Sequence, residues 1–283
     1  MSKVGLVVEG GGTKIAYTAG VLKCLLEHDV LLPYSVGISA GAEVLLPYVS
    51  RQKERLDVTG IDAPSQQGAV GLIPMFKEGN VFGIEATCDY IEKRAPLDFM
   101  SFFGSDTALD IGVYDVDNHK IEYFPKEYVD ESMTLIKASC ALLLLAKPYS
   151  FHGKKYFDAG LVDMISIDQS IKAGCDKHLI LSTKEEGYVR KPAPDWQLWL
   201  AKKVYKDKTI EQNLKERHLR YNEQWEKIGQ LEKEGKAMVL RPHKDLGITR
   251  YTTDPEKLRP WFQLGYDETL ERINEIKQFC EIQ

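Results

Sequence analysis

The sequence predicts an α/β fold in three layers, a mainly parallel sheet covered by helices on both faces, with a smaller α/β extension at the C-terminus. Three observations predict it. Short apolar runs of strand length alternate with stretches of helical periodicity. Two of the runs pass through glycine-bearing loops straight into helices, as buried parallel strands commonly do. At 283 residues, 43% of them hydrophobic, the chain is long enough for one large domain with an appendage.

Taken in order, Val4-Gly5-Leu6-Val7-Val8 is the first buried strand, followed by a glycine loop. A helix comes next, with Val21, Leu22, Leu25 and Leu26 on one side. A second short strand ends near Val36, and a helix starts after Ser39. Leu109–Val116 and Lys120–Phe124 are strand-like and joined through Asp117-Asn118-His119, which has hairpin turn chemistry. His178–Thr183 is a further apolar strand. The charged, proline-bearing stretch from Lys184 to Pro194 is expected to be a linker or long loop. We therefore divide the chain into residues 1–183 and an extension, residues 184–283, that packs on it. The extension offers helical spacing over Trp196–Tyr205, a long polar helix over about Thr209–Glu234, a strand at Ala237–Arg241 and a final helix ending near Cys280.

Charge supports the same division. Residues 1–183 carry 17 basic and 24 acidic side chains, whereas residues 184–283 carry 20 and 18. All four tryptophans lie in the second part. The whole chain has a net charge of −5, which argues against a general nucleic-acid-binding surface. Its longest strongly apolar run, Cys140–Ala146, is far short of the roughly 20 residues of a membrane-spanning helix. The five widely spaced cysteines include no Cys-x-x-Cys pair, and no histidines stand at a metal-ligand spacing such as H-E-x-x-H. The expectation is a cytoplasmic protein with no metal and no cofactor, open to peripheral membrane contact.

Three motifs carry chemistry. Gly37-Ile38-Ser39-Ala40-Gly41, between a strand and a helix, has the G-x-S-x-G pattern of a nucleophile elbow. Such a turn projects the serine hydroxyl beyond the sheet's carboxyl edge, and the helix that follows faces any oxyanion formed there. Gly10-Gly11-Gly12-Thr13-Lys14 follows the first strand and leaves backbone N–H groups free to meet an anion. It is not a dinucleotide fingerprint, because Ile15 stands where the third glycine would be, and it lacks the P-loop pattern. An oxyanion hole needs only N–H donors beside the nucleophile. The third motif, Tyr156-Phe157-Asp158-Ala159-Gly160, would pass for an ordinary turn by itself. With the other two it supplies a carboxylate able to take the serine's proton.

These motifs, in this order and spacing, resemble the patatin-like phospholipases, and more narrowly the bacterial patatin-like group with a C-terminal extension. Thr18-Ala19-Gly20-Val21-Leu22 and Lys137-Ala138-Ser139-Cys140-Ala141 extend the match. In the second part Arg220-Tyr221-Asn222-Glu223-Gln224, Leu231–Lys236 and Arg241-Pro242 extend it further. The resemblance implies a patatin-like three-layer hydrolase with a serine–aspartate dyad and no catalytic histidine. Ser39 is then the nucleophile and Asp158 the base. N–H groups around Gly10, Gly11 and Gly12 form the oxyanion hole, with Lys14, Gly37, Gly41 and Gly160 supporting the motifs. The implied substrate is a lipid acyl ester, a phospholipid or lysophospholipid, and the dyad needs no metal.

The chain departs from the family pattern at Ile15 and Ala159, where glycine is usual, and has Lys14 where arginine is common. A side chain at a position requiring positive φ would cost about 1–2 kcal/mol. These departures keep open an acyl-binding member with weak catalysis, beside a general carboxylesterase acting on soluble esters. A triad of Ser39, Asp158 and His243 is a formal alternative, but an α/β-hydrolase has several strands before its elbow. Trp196, Trp199, Leu200 and Lys203 share a helical face that could meet a membrane interface. Packing of the tryptophans on the catalytic domain is the favoured expectation, with the segment able to wall an acyl pocket. Leu142–Leu145 reads as core before acyl tunnel, although both could hold, the Glu/Lys-rich helix as a solvated face, and Cys140 and Cys175 as structural.

Overall fold

The computed structural model describes residues 2–282. Strand β1 (Val4–Val8) leads through the glycine loop into α1 (Ile15–Glu27), and β2 (Tyr34–Ile38) leads through Ser39 into α2 (Ala40–Val49). Short helices α3 (Lys53–Asp57), α4 (Leu72–Lys77), α5 (Ile84–Arg94) and α6 (Phe99–Gly104) fill the segment before the hairpin of β3 (Ala108–Asp115) and β4 (Lys120–Pro125). Then come α7 (Thr134–Cys140), β5 (Tyr149–Phe151), β6 (Lys154–Asp158), α8 (Ile167–Lys172) and β7 (Lys177–Leu181). The remainder is α9 (Asp195–Tyr205), α10 (Lys208–Lys233), β8 (Ala237–Leu240), α11 (Pro255–Glu271) and α12 (Ile273–Phe279). The single final helix expected from the sequence is thus two, broken at Arg272, which has left the helical region at φ −105° and ψ 8°.

One eight-stranded sheet runs β5-β6-β3-β2-β1-β7-β8, with β4 also pairing β3. The block β3-β2-β1-β7-β8 is parallel, and β4, β5 and β6 are antiparallel additions. Strand alternation sorts the side chains between two cores. Val4, Leu6 and Val8 of β1 join the cluster containing Leu22, Leu45 and Trp261, under α1, α2 and α11. Val7, on the opposite face, joins Val36, Ile180 and Val239 under α8 and α10, with Tyr221 and Ile228. The fold is therefore the expected three-layer α/β arrangement with a mainly parallel sheet.

The C-terminal part is woven into that arrangement. β8 extends the sheet beside β7, pairing Leu179 with Met238 and Leu181 with Leu240. α11 lies on α1, where the Trp261 indole donates to the Lys14 carbonyl at 2.9 Å and the Tyr17 hydroxyl to Glu268 at 2.6 Å. Among the described residues no helix is long and apolar enough to cross a membrane.

Candidate active site

The site forms where strands end. β2 and β6 meet β3 one after the other: Ile38 pairs with Gly112, and the next residue of β3, Val113, pairs with Asp158. Because β2 is parallel and β6 antiparallel to β3, their C-terminal ends converge, and Ser39 follows β2 at the point where β6 delivers Asp158. Ser39 has φ 54° and ψ −142°, a conformation L-residues rarely adopt and one that surrounding structure must hold in place. It lies between Gly37, in β2, and Gly41, in the first turn of α2.

One short segment holds both residues. The Ser39 N–H donates to Ser139 Oγ at 2.8 Å, and Ser139 Oγ in turn donates to the Gly112 carbonyl at 2.8 Å. A continuing β2–β3 ladder would join Ser39 N–H to that carbonyl directly; the Ser139 hydroxyl spans the gap as the elbow turns away. Two residues on, the Ala141 carbonyl accepts the Asp158 N–H at 2.9 Å. The motif containing Ser139 was visible in the sequence, but the role of this hydroxyl was not.

Ser39 is 7% exposed and Asp158 2%. Asp158 Oδ1 accepts the Gly160 N–H at 2.6 Å, while among the described residues Oδ2 has no hydrogen-bond partner. Burial raises the Asp158 carboxyl above its ordinary value; the Gly160 N–H, the Ser39 hydroxyl, Arg217 and Arg250 pull in the opposite direction. A carboxylate shifted upward with a free oxygen is suited to accepting a proton. The glycine loop closes the other side. A Cβ on Gly10 would come within 2.8 Å of the Ser39 Cβ, so the loop backbone can lie against Ser39 only without a side chain. The N–H groups of Gly10, Gly11 and Gly12 donate to no backbone carbonyl among the described residues, whereas those of Thr13 and Lys14 donate to Arg250 and Gly11 carbonyls.

Ile15 and Ala159 fit their positions. Ile15 begins α1 at φ −59° and is buried, and Ala159 is buried outside the positive-φ region. Neither position needs glycine. Lys14 directs its ammonium toward the Trp261 ring, 5.8 Å from the centroid, and faces the same cavity as Ser39.

Two cavities meet at Ser39, and a third starts beside Asp158. One, of about 280 Å³, is polar and includes Gly10–Gly12, Lys14, Asp158, Arg217 and Arg250. A second, mainly apolar, is walled by Ile15, Ala40, Val70, Phe82, Ile84 and Leu142, with Glu43 on its edge. A third runs from Asp158 past Leu142–Leu145 to Trp196, Leu200 and Tyr251. Leu142–Leu145 are partly buried and do both things: Leu143 and Leu144 pack against a core cluster, and all four wall this cavity. The expected packing of the tryptophans needs correction. Trp196 and Trp199 are 61% and 57% exposed, while α9 packs inward through Leu198, Ala201 and Tyr205. Both arcs of the helix carry apolar residues, so periodicity alone could not choose the buried one. Trp196 and Leu200 do form part of a cavity wall, as expected.

None of the six histidines faces these three cavities. His243 is exposed and pairs with Glu268, which removes the Ser-His-Asp alternative. Among the described residues no cluster of His, Cys, Asp and Glu could hold a metal ion.

The residues sequence reasoning missed come mostly from distant parts of the chain. Arg217 Nε donates to the carbonyl of Gly160, two residues from Asp158. The buried Glu9, adjoining the glycine loop, accepts from the Ser182 hydroxyl, the Thr183 N–H and the Tyr221 hydroxyl. The contacts of Arg217 and Tyr221 span 57 and 212 residues of sequence, and no local pattern signals them.

With this geometry in hand, comparison with known proteins is informative. Residues 6–171 match the patatin-like phospholipase family, and the chain belongs to that family. Residues 208–281 match a domain of unknown function, DUF6363. No curated protein matches the sequence. Among solved structures, VipD from Legionella pneumophila is similar with a TM-score of 0.52 and 14% identity, over 97% of this chain and 67% of that one. Human GIVD cytosolic phospholipase A2, solved with methyl gamma-linolenyl fluorophosphonate and terbium chloride, is similar with a TM-score of 0.50 and 10% identity. That match covers 99% of this chain and 59% of the longer human one. At these identities the likeness is one of fold.

Proposed function

We propose that the protein is a serine-dependent acyl hydrolase acting on a phospholipid or lysophospholipid ester. The observation that carries the reading is the convergence of Ser39, held in a strained turn, with the buried Asp158 whose Oδ2 is free of protein donors. In the reaction Asp158 takes the Ser39 proton as Oγ attacks the ester carbonyl. The N–H groups of Gly10, Gly11 and Gly12 hold the tetrahedral oxyanion. The alcohol leaves with the proton, and water then attacks the acyl-enzyme with Asp158 again as base. The mainly apolar cavity of about 80 Å³ beside Ser39 gives the acyl chain an apolar entry next to the reacting carbonyl. The unstrained Ile15 and Ala159 favour turnover over a merely acyl-binding member. The exposed Trp196 and Trp199, on the helix that also walls the cavity beside Asp158, support peripheral contact with a lipid surface over action on soluble esters alone.

Reaction with a fluorophosphonate probe tests this. Wild type is expected to carry the adduct on Ser39, and folded Ser39→Ala and Asp158→Asn to carry none. A folded wild type that stays unlabelled would overturn the reading.

A further inference from the structure

The polar cavity holds more positive charge than the dyad requires. Lys14, Lys184, Arg190, Arg217 and Arg250 all face it. Among the described residues, none of these five cations has a carboxylate oxygen within 4.0 Å. Glu9, Asp158, Glu185 and Asp245 face the same cavity, but none of them forms an ion pair with these cations, and the Glu9 carboxylate is taken by Ser182, Thr183 and Tyr221. The cations instead crowd one another. Burial and the neighbouring Arg190 and Arg250 push the Arg217 guanidinium down, and burial with the nearby cations pushes Lys184 to about 8. The Arg190 guanidinium sits over the Tyr221 ring, 4.3 Å from its centroid, and its buried Nε has no partner among the described residues. Partly desolvated, unpaired cations gathered around one cavity are costly unless an anion joins them.

We infer that this cavity binds a phosphate-type anion, held by Arg190, Arg217, Arg250 and Lys184 and carried on the ester that Ser39 attacks. Guanidinium forks match the several oxygens of a phosphate, which a single carboxylate would not satisfy. Ser39 lines this cavity and the mainly apolar one alike. An ester bound across Ser39 therefore has its chain in one and its charged headgroup in the other. All four recognition groups come from beyond residue 183, which gives the extension a part in substrate choice.

This rests on the hydrolase reading, and the experiment separates the two. Hydrolysis is compared for a lysophosphatidic acid and the monoacylglycerol with the same chain, in the same detergent. Wild type is expected to prefer the phosphorylated ester at least tenfold in kcat/KM. Arg190→Met and Arg250→Met should cut that preference about tenfold, mainly through KM, one charge-assisted contact being worth about that factor. In parallel, calorimetry on full-length Ser39→Ala measures binding of glycerol 3-phosphate and of inorganic phosphate, and depends on no arginine variant. Tighter binding of glycerol 3-phosphate supports a headgroup site. Equal binding of both with no ester preference would overturn the headgroup assignment in favour of free phosphate. No binding of either, with equal turnover of both esters, would overturn the anion site and leave the hydrolase. Binding without turnover of any ester would sink the hydrolase reading alone.

Discussion

Ser39 and Asp158 stand at consecutive steps along one edge of β3, the first reached from Ile38 opposite Gly112, the second opposite Val113. The sheet itself brings them together, and the Ser139–Ala141 segment fixes both by their backbone N–H groups. Replacing Ser139 by Ala would leave the Ser39 N–H and the Gly112 carbonyl buried without a partner, at a cost of about 1–3 kcal/mol. The elbow would also lose its restraint. We expect Ser139→Ala to lower kcat roughly tenfold to a hundredfold with KM little changed, since small misplacements of a nucleophile are costly. Chemical denaturation and steady-state kinetics on one preparation check both parts; loss of stability with unchanged kcat would reduce Ser139 to a structural role.

The raised Asp158 carboxyl has consequences of opposite sign for activity and stability. As a base Asp158 must be ionised, so activity should fall as pH drops through a value above the ordinary carboxylate range. Its folded pKa exceeds its unfolded one, so the ionised form weakens the fold once pH rises above the unfolded value. Asp158→Asn should therefore be inactive yet melt higher than wild type at pH 8, the advantage vanishing at acidic pH where both states are protonated. Melting curves at several pH values decide it, and a variant less stable at pH 8 would contradict the assignment.

Glu43, in the first turn of α2 and facing the acyl cavity, follows the same sign. Burial pushes its carboxyl up to about 7, with Arg55 pulling it down and Glu92 pushing it up. The folded state loses stability as pH climbs from the unfolded value to about 7, and the loss is constant above that. Glu43→Gln should be neutral near pH 4 and stabilising by up to about 3 kcal/mol at pH 8. Denaturant midpoints at the two pH values measure the difference.

How much of this was legible in the sequence follows from distance along the chain. The strand–glycine–helix junctions at Gly10–Gly12 and Ser39 are local signals, and the hairpin of β3 and β4 is written in six adjacent residues. Asp158 lies at the end of an antiparallel strand whose place beside β2 depends on a pairing 45 residues away, Val113 with Asp158. Its role could be inferred only through resemblance. The cations of the polar cavity come from a loop, two helical or loop segments and a long polar helix that periodicity reads as a solvated face. Arg217 is part of that helix, and only tertiary contact turns it inward to Gly160.

The outward face of α9 predicts membrane behaviour. Trp196 and Trp199 are exposed, and Lys203 sits over the Trp199 ring at 4.2 Å, with Lys202 and Lys206 also exposed. Aromatic rings beside lysines suit the boundary of an anionic bilayer. Trp196→Ala/Trp199→Ala should co-sediment with anionic vesicles at least tenfold more weakly than wild type. Melting should barely change, because exposed side chains contribute little to the fold. Wild type that ignores vesicles of every charge would refute the contact.

The two departures from the family pattern predict that restoring glycine brings no gain. Ile15 sits at φ −59° and ψ −15°, is 2% exposed and walls the acyl cavity. Ile15→Gly gives up a buried side chain and adds helix-backbone entropy, together about 4 kcal/mol. That is a large share of the roughly 5–15 kcal/mol that holds a typical domain folded. Ala159→Gly, at a buried site without positive φ, should cost about 1 kcal/mol. Neither change touches the Ser39–Asp158 geometry, so the rate of fluorophosphonate labelling should not rise in either variant. A faster rate in Ile15→Gly would mean that the isoleucine obstructs the acyl cavity rather than shaping it, and longer-chain probes should then show the larger acceleration.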